Sequence, residues 1–192
     1  MRIPGLDLAL TPLPAPLPIW RGTVDAAQWS AAAAAVAESG GRLVSLWGSD
    51  RGEAGNAQSE LFACVAYAVA DGLVWLDLML AAGDAPRFPD LSRHFPAASR
   101  MQRACADLLG IVAEDADDSR PWLDHGAWPR IAQGAPDGRR WRPLRRDAGE
   151  PDLASATDPG DYAFVRVEGD GVHEIAVGPV HAGTIEPGHF RF

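Results

Sequence analysis

The chain has 192 residues, of which 47% are hydrophobic and 22% charged, a composition typical of a soluble globular protein. Its 17 Lys and Arg residues stand against 26 Asp and Glu, and the resulting net charge of −9 argues against nucleic acid as a partner. No apolar run reaches the roughly 18 residues that span a bilayer. Cys64 and Cys105 form no CxxC motif, which excludes a thiolate-bound cluster or zinc in this chain and indicates a reducing compartment. We therefore expect a cytoplasmic protein.

The N-terminal stretch "TPLPAPLPIW" places prolines at four alternate positions, residues 12, 14, 16 and 18. Proline fixes φ and favours an extended, polyproline-like backbone. We predict an extended arm over residues 1–20 that packs on the surface through its leucines and Trp20. The alternative is a peptide motif for a proline-binding module.

A first helix is predicted by Asp25 followed three residues later by Gln28, the pattern of a capping box. The alanine-rich sequence that follows favours a helix, and Gly40–Gly41 ends it.

Three apolar runs follow, at residues 42–48, 59–70 and 73–81. Asp71–Gly72 lies between the second and third runs and is a typical hairpin dipeptide. The sequence predicts three consecutive antiparallel strands, a meander.

A second helix is predicted over residues 97–109, because the apolar residues of "AASRMQRACADLLGI" follow helical spacing and Gly110 ends the pattern. The order helix, strands, helix indicates an α+β fold with an antiparallel sheet and helices mainly on one face. A last hairpin, with Asp170–Gly171 at its turn, would form a C-terminal appendage. We expect a domain over residues 21–148, followed by a linker and hairpin over residues 149–192.

Two regions contain candidate functional residues. The basic run at residues 139–146 stands out in an acidic chain and favours a docking face for an acidic neighbour over an anion or membrane site. The last 20 residues contain three histidines and two glutamates, His173, Glu174, His181, Glu186 and His189. These side chains are possible zinc or iron ligands, but no short His-x-His or HxxxH spacing is present, and the pattern favours a glycine- and proline-containing turn over a metal site.

Three segments in series, "FPAASRMQRACADLLGI", "DDSRPWLDHGAWP" and "RPLRRD", resemble the motifs of the C subunit of bacterial NADH:quinone oxidoreductase (complex I). The similarity covers roughly residues 40–147. The tail "VHEIAVGPVHAGTIEPGHFRF" is similar to the start of the large subunit of formate hydrogenlyase-type, membrane-bound nickel–iron hydrogenases, in which a domain like this complex I subunit precedes the catalytic domain.

The resemblance implies an assembly domain that docks the small iron–sulfur subunit of a hydrogenase and the large-subunit catalytic domain, peripheral on the inner face of the membrane. The partner-binding residues it favours lie on the second helix and in the arginine- and tryptophan-rich segments. They are Arg103, Asp107, Trp122, Trp128, Trp141, Arg142, Arg145 and Arg146. Arg103 and Asp107 have i,i+4 spacing, as in a helical ion pair.

The resemblance also assigns catalytic roles in the intact complex. His181 has the place of a histidine at the quinone pocket of the complex I subunit related to the hydrogenase large subunit, and Glu186 with His189 matches an element whose glutamate passes protons. It implies that the cysteines holding nickel and iron lie beyond Phe192, so no metal or cofactor is expected in this chain. The alternatives are a free-standing regulatory or accessory subunit of such a complex, and a small metal-binding protein that uses His173, His181 and His189.

Overall fold

The computed structural model describes residues 2–52, 60–81, 86–131, 140–146, 148–158, 168–172, 180–181 and 184–185. The chain divides into two compact units, Met1–Thr157 and Asp158–Phe192. The first unit contains a five-stranded sheet and two helices. This arrangement confirms the predicted α+β class.

The sheet has the order β1-β2-β5-β4-β3. Its strands are β1 (Thr11–Leu13), β2 (Ile19–Val24), β3 (Arg42–Asp50), β4 (Leu61–Val69) and β5 (Gly72–Met79). The predicted meander is confirmed, because β3–β4 and β4–β5 are both antiparallel pairs. The sheet as a whole is mixed rather than antiparallel, since β2 pairs in parallel with β5. A helix after β2 returns the chain, so that β2, β3 and β5 all run in the same direction.

The Pro-rich segment takes part in this sheet. Thr11 to Leu13 pair antiparallel with Ile19 to Arg21, so the turn between β1 and β2 contains three of the four alternating prolines. Before β1, Ile3 is 1% exposed and belongs to the hydrophobic core. The segment that the sequence predicts as an arm is extended, and it supplies an edge strand and the start of β2.

Helix α1 (Ala26–Glu38) begins at the predicted capping box. The Gln28 backbone N–H donates to Asp25 Oδ1 at 2.7 Å, and the Asp25 backbone N–H donates to Gln28 Oε1 at 3.1 Å. The helix ends at Glu38 with Ser39 as its C-cap, and Gly40 follows with a φ of +74°, which is readily adopted only by glycine. Both ends therefore follow from the local sequence.

Helix α2 (Ala98–Leu109) ends at Gly110, which has a φ of +72° and donates its N–H to the Ala106 carbonyl at 2.9 Å. Buried residues of both helices, such as Trp29 and Leu109, join one core with Leu46, Val65 and Leu76 of the strands. These strand residues lie on one face of the sheet, because Leu46 pairs with Val65 and Val65 with Leu76. The helices thus cover the same sheet face, as predicted.

The two edges of the sheet differ. β1 is three residues long and has Pro12 at its centre. β3 is nine residues long and lies against α2. There the Leu46 backbone N–H donates to the Met101 sulfur at 3.2 Å, and the Gly48 N–H donates to the Cys105 sulfur. Sulfur atoms of α2 therefore accept hydrogen bonds from the edge of β3 that faces away from β4.

Three short strand pairs complete the described structure. β6 (Arg87–Pro89) pairs in parallel with β7 (Val112–Glu114), and β8 (Arg130–Ile131) pairs antiparallel with β9 (Pro151–Asp152). In the second unit, β10 (Val180–His181) pairs antiparallel with β11 (Thr184–Ile185). Residues 168–172 contain the predicted turn, with Gly171 at a φ of +84°. The predicted strands on either side of that turn lie almost wholly outside the described residues.

The sheet face opposite the helices holds a buried carboxylate that the sequence analysis does not identify. Asp77 of β5 is 2% exposed and accepts hydrogen bonds from the Arg21 Nε at 2.7 Å, the Arg51 Nη2 at 2.7 Å and the Trp75 Nε1 at 2.8 Å. Arg51 also donates to the Cys64 sulfur at 3.2 Å. Two guanidinium groups thus share one carboxylate, which satisfies its charge.

The pKa of Asp77 reflects this balance. Burial raises the pKa, but the hydrogen bonds from Arg51, Cys64, Arg21 and Trp75 outweigh burial and lower it to about 2. A carboxyl group with a lowered folded-state pKa stabilises the fold at every pH above its unfolded value near 3.8. That stabilisation is lost as the pH falls toward 2.

We predict that Asp77→Asn lowers the free energy of unfolding by about 2 kcal/mol at pH 6, the equivalent of this pKa shift. Urea denaturation at several pH values measures the difference from the wild type, which should shrink between pH 4 and pH 2. Asp71→Asn is the control, since Asp71 forms an exposed ion pair with Arg2 and should change stability by less than about 1 kcal/mol. An equal effect of the two variants would contradict the prediction.

Candidate docking surface

The predicted partner-binding residues lie on and around α2, against which residues 118–128 and 140–146 make hydrogen bonds; we call this region the α2 surface. Its centre is Asp107, which is 8% exposed. Asp107 Oδ2 accepts the backbone N–H groups of Trp122 at 2.8 Å, Leu123 at 2.7 Å and Asp124 at 3.2 Å. One carboxylate oxygen therefore fixes three consecutive residues of the loop to the helix.

Arg103, one turn before Asp107, binds the preceding part of the same loop. Its guanidinium donates to the Arg120 carbonyl at 2.7 Å, the Pro121 carbonyl at 3.0 Å and the Asp118 carboxylate at 2.9 Å. The hydrogen bond from Arg120 and the nearby Arg103 charge keep the pKa of Asp118 well below its usual range. Arg103 thus uses all three guanidinium nitrogens within the chain.

Asp124 forms the next turn of the loop and is 6% exposed. Its Oδ1 accepts the Gly126 N–H at 3.0 Å and a hydrogen bond from Arg140 Nη1 at 3.2 Å. Arg142 Nη1 lies 3.8 Å from its other oxygen. The carboxylate of Asp124 therefore joins the loop to the basic segment that follows it in the sequence.

The basic segment is tied to α2 and β3. Arg142 donates to the Asp107 carbonyl at 2.9 Å, and Arg145 donates to the Leu109 carbonyl at 3.5 Å, so both cations lie at the C-terminus of α2, where the helix dipole favours them. Arg146 binds Asp50 at the end of β3, through its backbone N–H at 2.9 Å and its Nε at 3.1 Å. Burial lowers the pKa of Arg142, and the nearby carboxylates oppose this shift.

Apolar groups are exposed on this rigid framework. Leu123 is 43% exposed and Leu144 is 56% exposed. The ring of Trp122 is half-buried, 5.0 Å from the Arg100 guanidinium carbon and 5.2 Å from that of Arg103. Trp128 and Trp141 are also half-buried. Aromatic residues and arginine are enriched at the centres of protein interfaces.

The structure changes the interpretation of the predicted residues. Arg103 and Asp107 each bind the 118–124 loop rather than pairing with each other. Arg142, Arg145 and Arg146 form hydrogen bonds inside the chain. These five residues thus build the α2 surface, while the leucines and tryptophans supply its apolar contact groups.

Sequence reasoning missed the roles of two carboxylates. Asp124, which is not among the predicted site residues, is buried and anchors Arg140. Asp77 could have been found, because in "LVWLDLMLA" it is a charged residue in the middle of an apolar strand. Such a residue needs a buried partner.

The candidate catalytic residues lie at the margin of the described structure. His181 is in β10, where it pairs with Thr184, and Glu186 and His189 lie outside the described residues, as do His173 and Glu174. Among the residues that can be described, no group of three or more His, Cys, Asp or Glu is placed to hold a metal ion.

The two cysteines do not fit a nickel–iron centre. Cys64 lies on β4 and Cys105 on α2, both free and buried. Burial raises the pKa of both thiols, that of Cys105 to about 12. Cys64 lies in the row of Asp77 on the sheet face opposite the helices, whereas Cys105 lies in the core that the helices cover, so the two thiols do not converge on one site. No step of hydrogen chemistry can be assigned to these residues.

We predict that Asp107→Asn weakens the attachment of the loop, because a neutral amide oxygen accepts the three N–H groups less strongly than a carboxylate. Amide hydrogen exchange should become roughly tenfold faster at Trp122, Leu123 and Asp124, with smaller changes in the sheet. Asp117→Asn is the control, because Asp117 is an exposed carboxylate nearby. Unchanged exchange in Asp107→Asn would contradict the anchoring role.

The chain is 31% identical over 114 residues to hydrogenase-4 component G of Escherichia coli (strain K12), an alignment covering 58% of this chain and 19% of that protein. It is 29% identical over 109 residues to formate hydrogenlyase subunit 5 of the same strain, covering 55% and 18%. The chain thus spans about a fifth of the length of these relatives.

Among solved structures, a chain of the archaeal membrane-bound sulfane sulfur reductase, a respiratory membrane complex, superimposes with a TM-score of 0.49. The sequences are 16% identical, and the match covers 60% of this chain and 68% of that one. In the described part of the present chain, neither helix is long and apolar enough to cross a membrane. Residues 22–151 match the respiratory-chain NADH dehydrogenase 30 kDa subunit family. The matched residues include most of the five-stranded sheet and the whole α2 surface. The chain belongs to this family.

Proposed function

We propose that this chain is an assembly domain of a membrane-attached, hydrogenase-like electron-transfer complex and that the α2 surface docks its partner subunits. The family and the two curated relatives, a hydrogenase-4 component and a formate hydrogenlyase subunit, support a place in such a complex. No complete active site is assigned to the chain itself.

The exposure of Leu123 and Leu144 on a fixed framework is the observation that carries the proposal. The Leu123 backbone N–H donates to the Asp107 carboxylate at 2.7 Å, and the Leu144 backbone N–H donates to the Leu108 carbonyl at 3.2 Å. Both leucines are therefore held in place before any partner binds. Preorganisation lowers the entropic cost of association, so exposed apolar groups on such a framework favour binding.

The proposed partners are those implied by the sequence resemblance, the small iron–sulfur subunit of a hydrogenase and the large-subunit catalytic domain. A nickel–iron centre would then be held by that catalytic domain, in line with the unsuitable cysteines of this chain. The complex would attach the chain peripherally to the inner face of the membrane. Nucleic acid is not a proposed partner, given the net charge of −9.

We predict that Leu144→Glu, in the complete native polypeptide, reduces co-purification of the iron–sulfur subunit by roughly tenfold, because a carboxylate replaces an apolar contact in a desolvated interface. Leu153→Glu is the matched control, since Leu153 is 75% exposed in the 3₁₀ turn Leu153–Ser155 and should leave the yield unchanged. Partner yield can be measured by quantitative mass spectrometry of the tagged complex.

Leu144 is preferred over the arginines for this test. Charge reversal at Arg145 or Arg146 would also break hydrogen bonds to α2 and β3, so lost binding and lost folding would not be separable. Equal yields from Leu144→Glu and the wild type would contradict docking at this surface. A native polypeptide of 20.4 kDa that contains no nickel would instead favour the alternative of a separate regulatory or accessory subunit.

A second proposal concerns the tail. By the sequence resemblance, Glu186 transfers protons in the intact complex, and His181 and His189 are the other catalytic residues of the tail. The supporting observation is the β10–β11 pair, which places His181 opposite Thr184, two residues before Glu186. A carboxyl group can be tuned for proton transfer by burial and by neighbouring charges.

We predict that Glu186→Gln in the complete enzyme lowers proton–hydrogen exchange by roughly 10²-fold or more, on the order of the contribution of a general acid–base residue. The exchange of deuterium gas with water, measured by mass spectrometry, checks this. Glu174→Gln, in the same tail, is the control. Full exchange activity in Glu186→Gln would exclude the relay.

A further inference from the structure

The sheet face opposite the helices, which we call the outer face, carries aromatic and apolar side chains. Direct strand pairing places Trp47, Cys64 and Asp77 in one row across the sheet, and Phe62 and Met79 in a neighbouring row. None of these residues belongs to the core that the helices cover. Met79 is 64% exposed, and Trp47, Phe62 and Trp75 are half-buried, with Trp47 and Trp75 in contact at 5.3 Å.

The outer face is positively charged although the chain is acidic. Arg21 and Arg42 lie on it by strand pairing, and Arg51 reaches over it to Asp77. Asp50 pairs with the buried Leu61 and so lies on the helix side, whereas Asp77 lies on the outer face. The Arg51 N–H donates to the Glu60 carbonyl, which continues the pairing of β3 with β4 and places the exposed Glu60 on the outer face as well. Three arginines against these two carboxylates leave an excess of one positive charge among the described residues of this face.

Two of these arginines are held in fixed positions. The Arg21 guanidinium carbon lies 4.3 Å from the centre of the Trp75 ring, and that of Arg51 lies 4.2 Å from the centre of the Phe62 ring. Both groups bind Asp77 on one side. Their side chains remain 36% and 28% exposed, so nitrogen atoms that do not contact Asp77 can still donate to an incoming acceptor.

We propose that the outer face is a second docking surface and that it binds an acidic segment of a partner protein. A carboxylate of that segment would accept hydrogen bonds from Arg21 and Arg51, and an apolar side chain beside it would pack on Met79, Trp47 and Trp75. The charge complementarity carries this choice of partner. A membrane surface fits less well, since lipid-binding clusters generally contain about four to eight basic residues.

This inference deepens the proposed assembly function and rests on it, because the partner is taken to be another subunit of the same complex. The α2 surface and the outer face contain different residues, so the two can be tested separately. Failure at the outer face would leave co-purification through the α2 surface intact. If the assembly function itself is wrong, no partner subunit will be recovered through either the α2 surface or the outer face.

The test begins with a photo-crosslinker. Benzoylphenylalanine replaces Met79 in the full polypeptide in its source cells, and the crosslinked peptide is identified by mass spectrometry. The expected product is a peptide of another subunit in which Asp and Glu outnumber Lys and Arg, with apolar residues between them. A crosslink to a second copy, to residues 158–192 of the same chain, or to no protein would overturn the proposal.

Charge variants then test the chemistry. Met79→Glu should lower recovery of the crosslinked subunit by roughly tenfold, since it places a like charge against the acidic segment, whereas Met79→Lys should stay within about twofold of the wild type. Leu17→Glu, at an equally exposed leucine between β1 and β2, should have no effect. Equal losses in Met79→Glu and Met79→Lys would overturn the acidic partner. If the wild-type complex binds phosphatidylglycerol vesicles and Met79→Glu abolishes this binding, the outer face is a lipid-binding surface instead.

Discussion

One carboxylate in the middle of the sheet joins four strands that are separated in the sequence. Asp77 lies on β5 and binds Arg21 on β2, Arg51 just after β3, and, through Arg51, Cys64 on β4. A charge so deeply buried is unfavourable unless it is paired, and pairing with two arginines requires β2, β3 and β5 to be in their native positions. The sheet order and its electrostatics are thus coupled, and the outer face exists because this coupling holds the arginines in place.

The same use of arginine recurs on the α2 surface. All 17 basic residues of the chain are arginines, and the sequence contains no lysine. A guanidinium group can donate to several acceptors in a fixed plane, which an ammonium group cannot. Arg103 binds two carbonyls and a carboxylate, and Arg142 lies between the Asp107 carbonyl and the Asp124 carboxylate. The basic segment, which the sequence analysis interprets as a docking face, therefore also stabilises the fold of the chain itself.

The sequence predicted the features that depend on local chemistry. The capping box at Asp25, the glycine that ends α2 and the antiparallel meander follow from the preferences of neighbouring residues. The parallel pairing of β2 with β5 could not be predicted, since it joins residues more than 50 positions apart. The partners of Arg103 and Asp107 were missed for the same reason, because spacing on a helix says nothing about a loop that folds back onto it.

The two edges of the sheet limit how this chain can join a larger assembly. Strand addition from another protein requires a row of backbone N–H and C=O groups at an open edge. β1 is short and has a proline at its centre, and two N–H groups of β3 already donate to Met101 and Cys105. Neither edge is a good template for an added strand, which also protects the isolated chain from edge-to-edge aggregation. Partners that bind at the five-stranded sheet are therefore expected to use side-chain contacts, and the side chains of a partner surface, rather than its backbone, would determine whether it binds there.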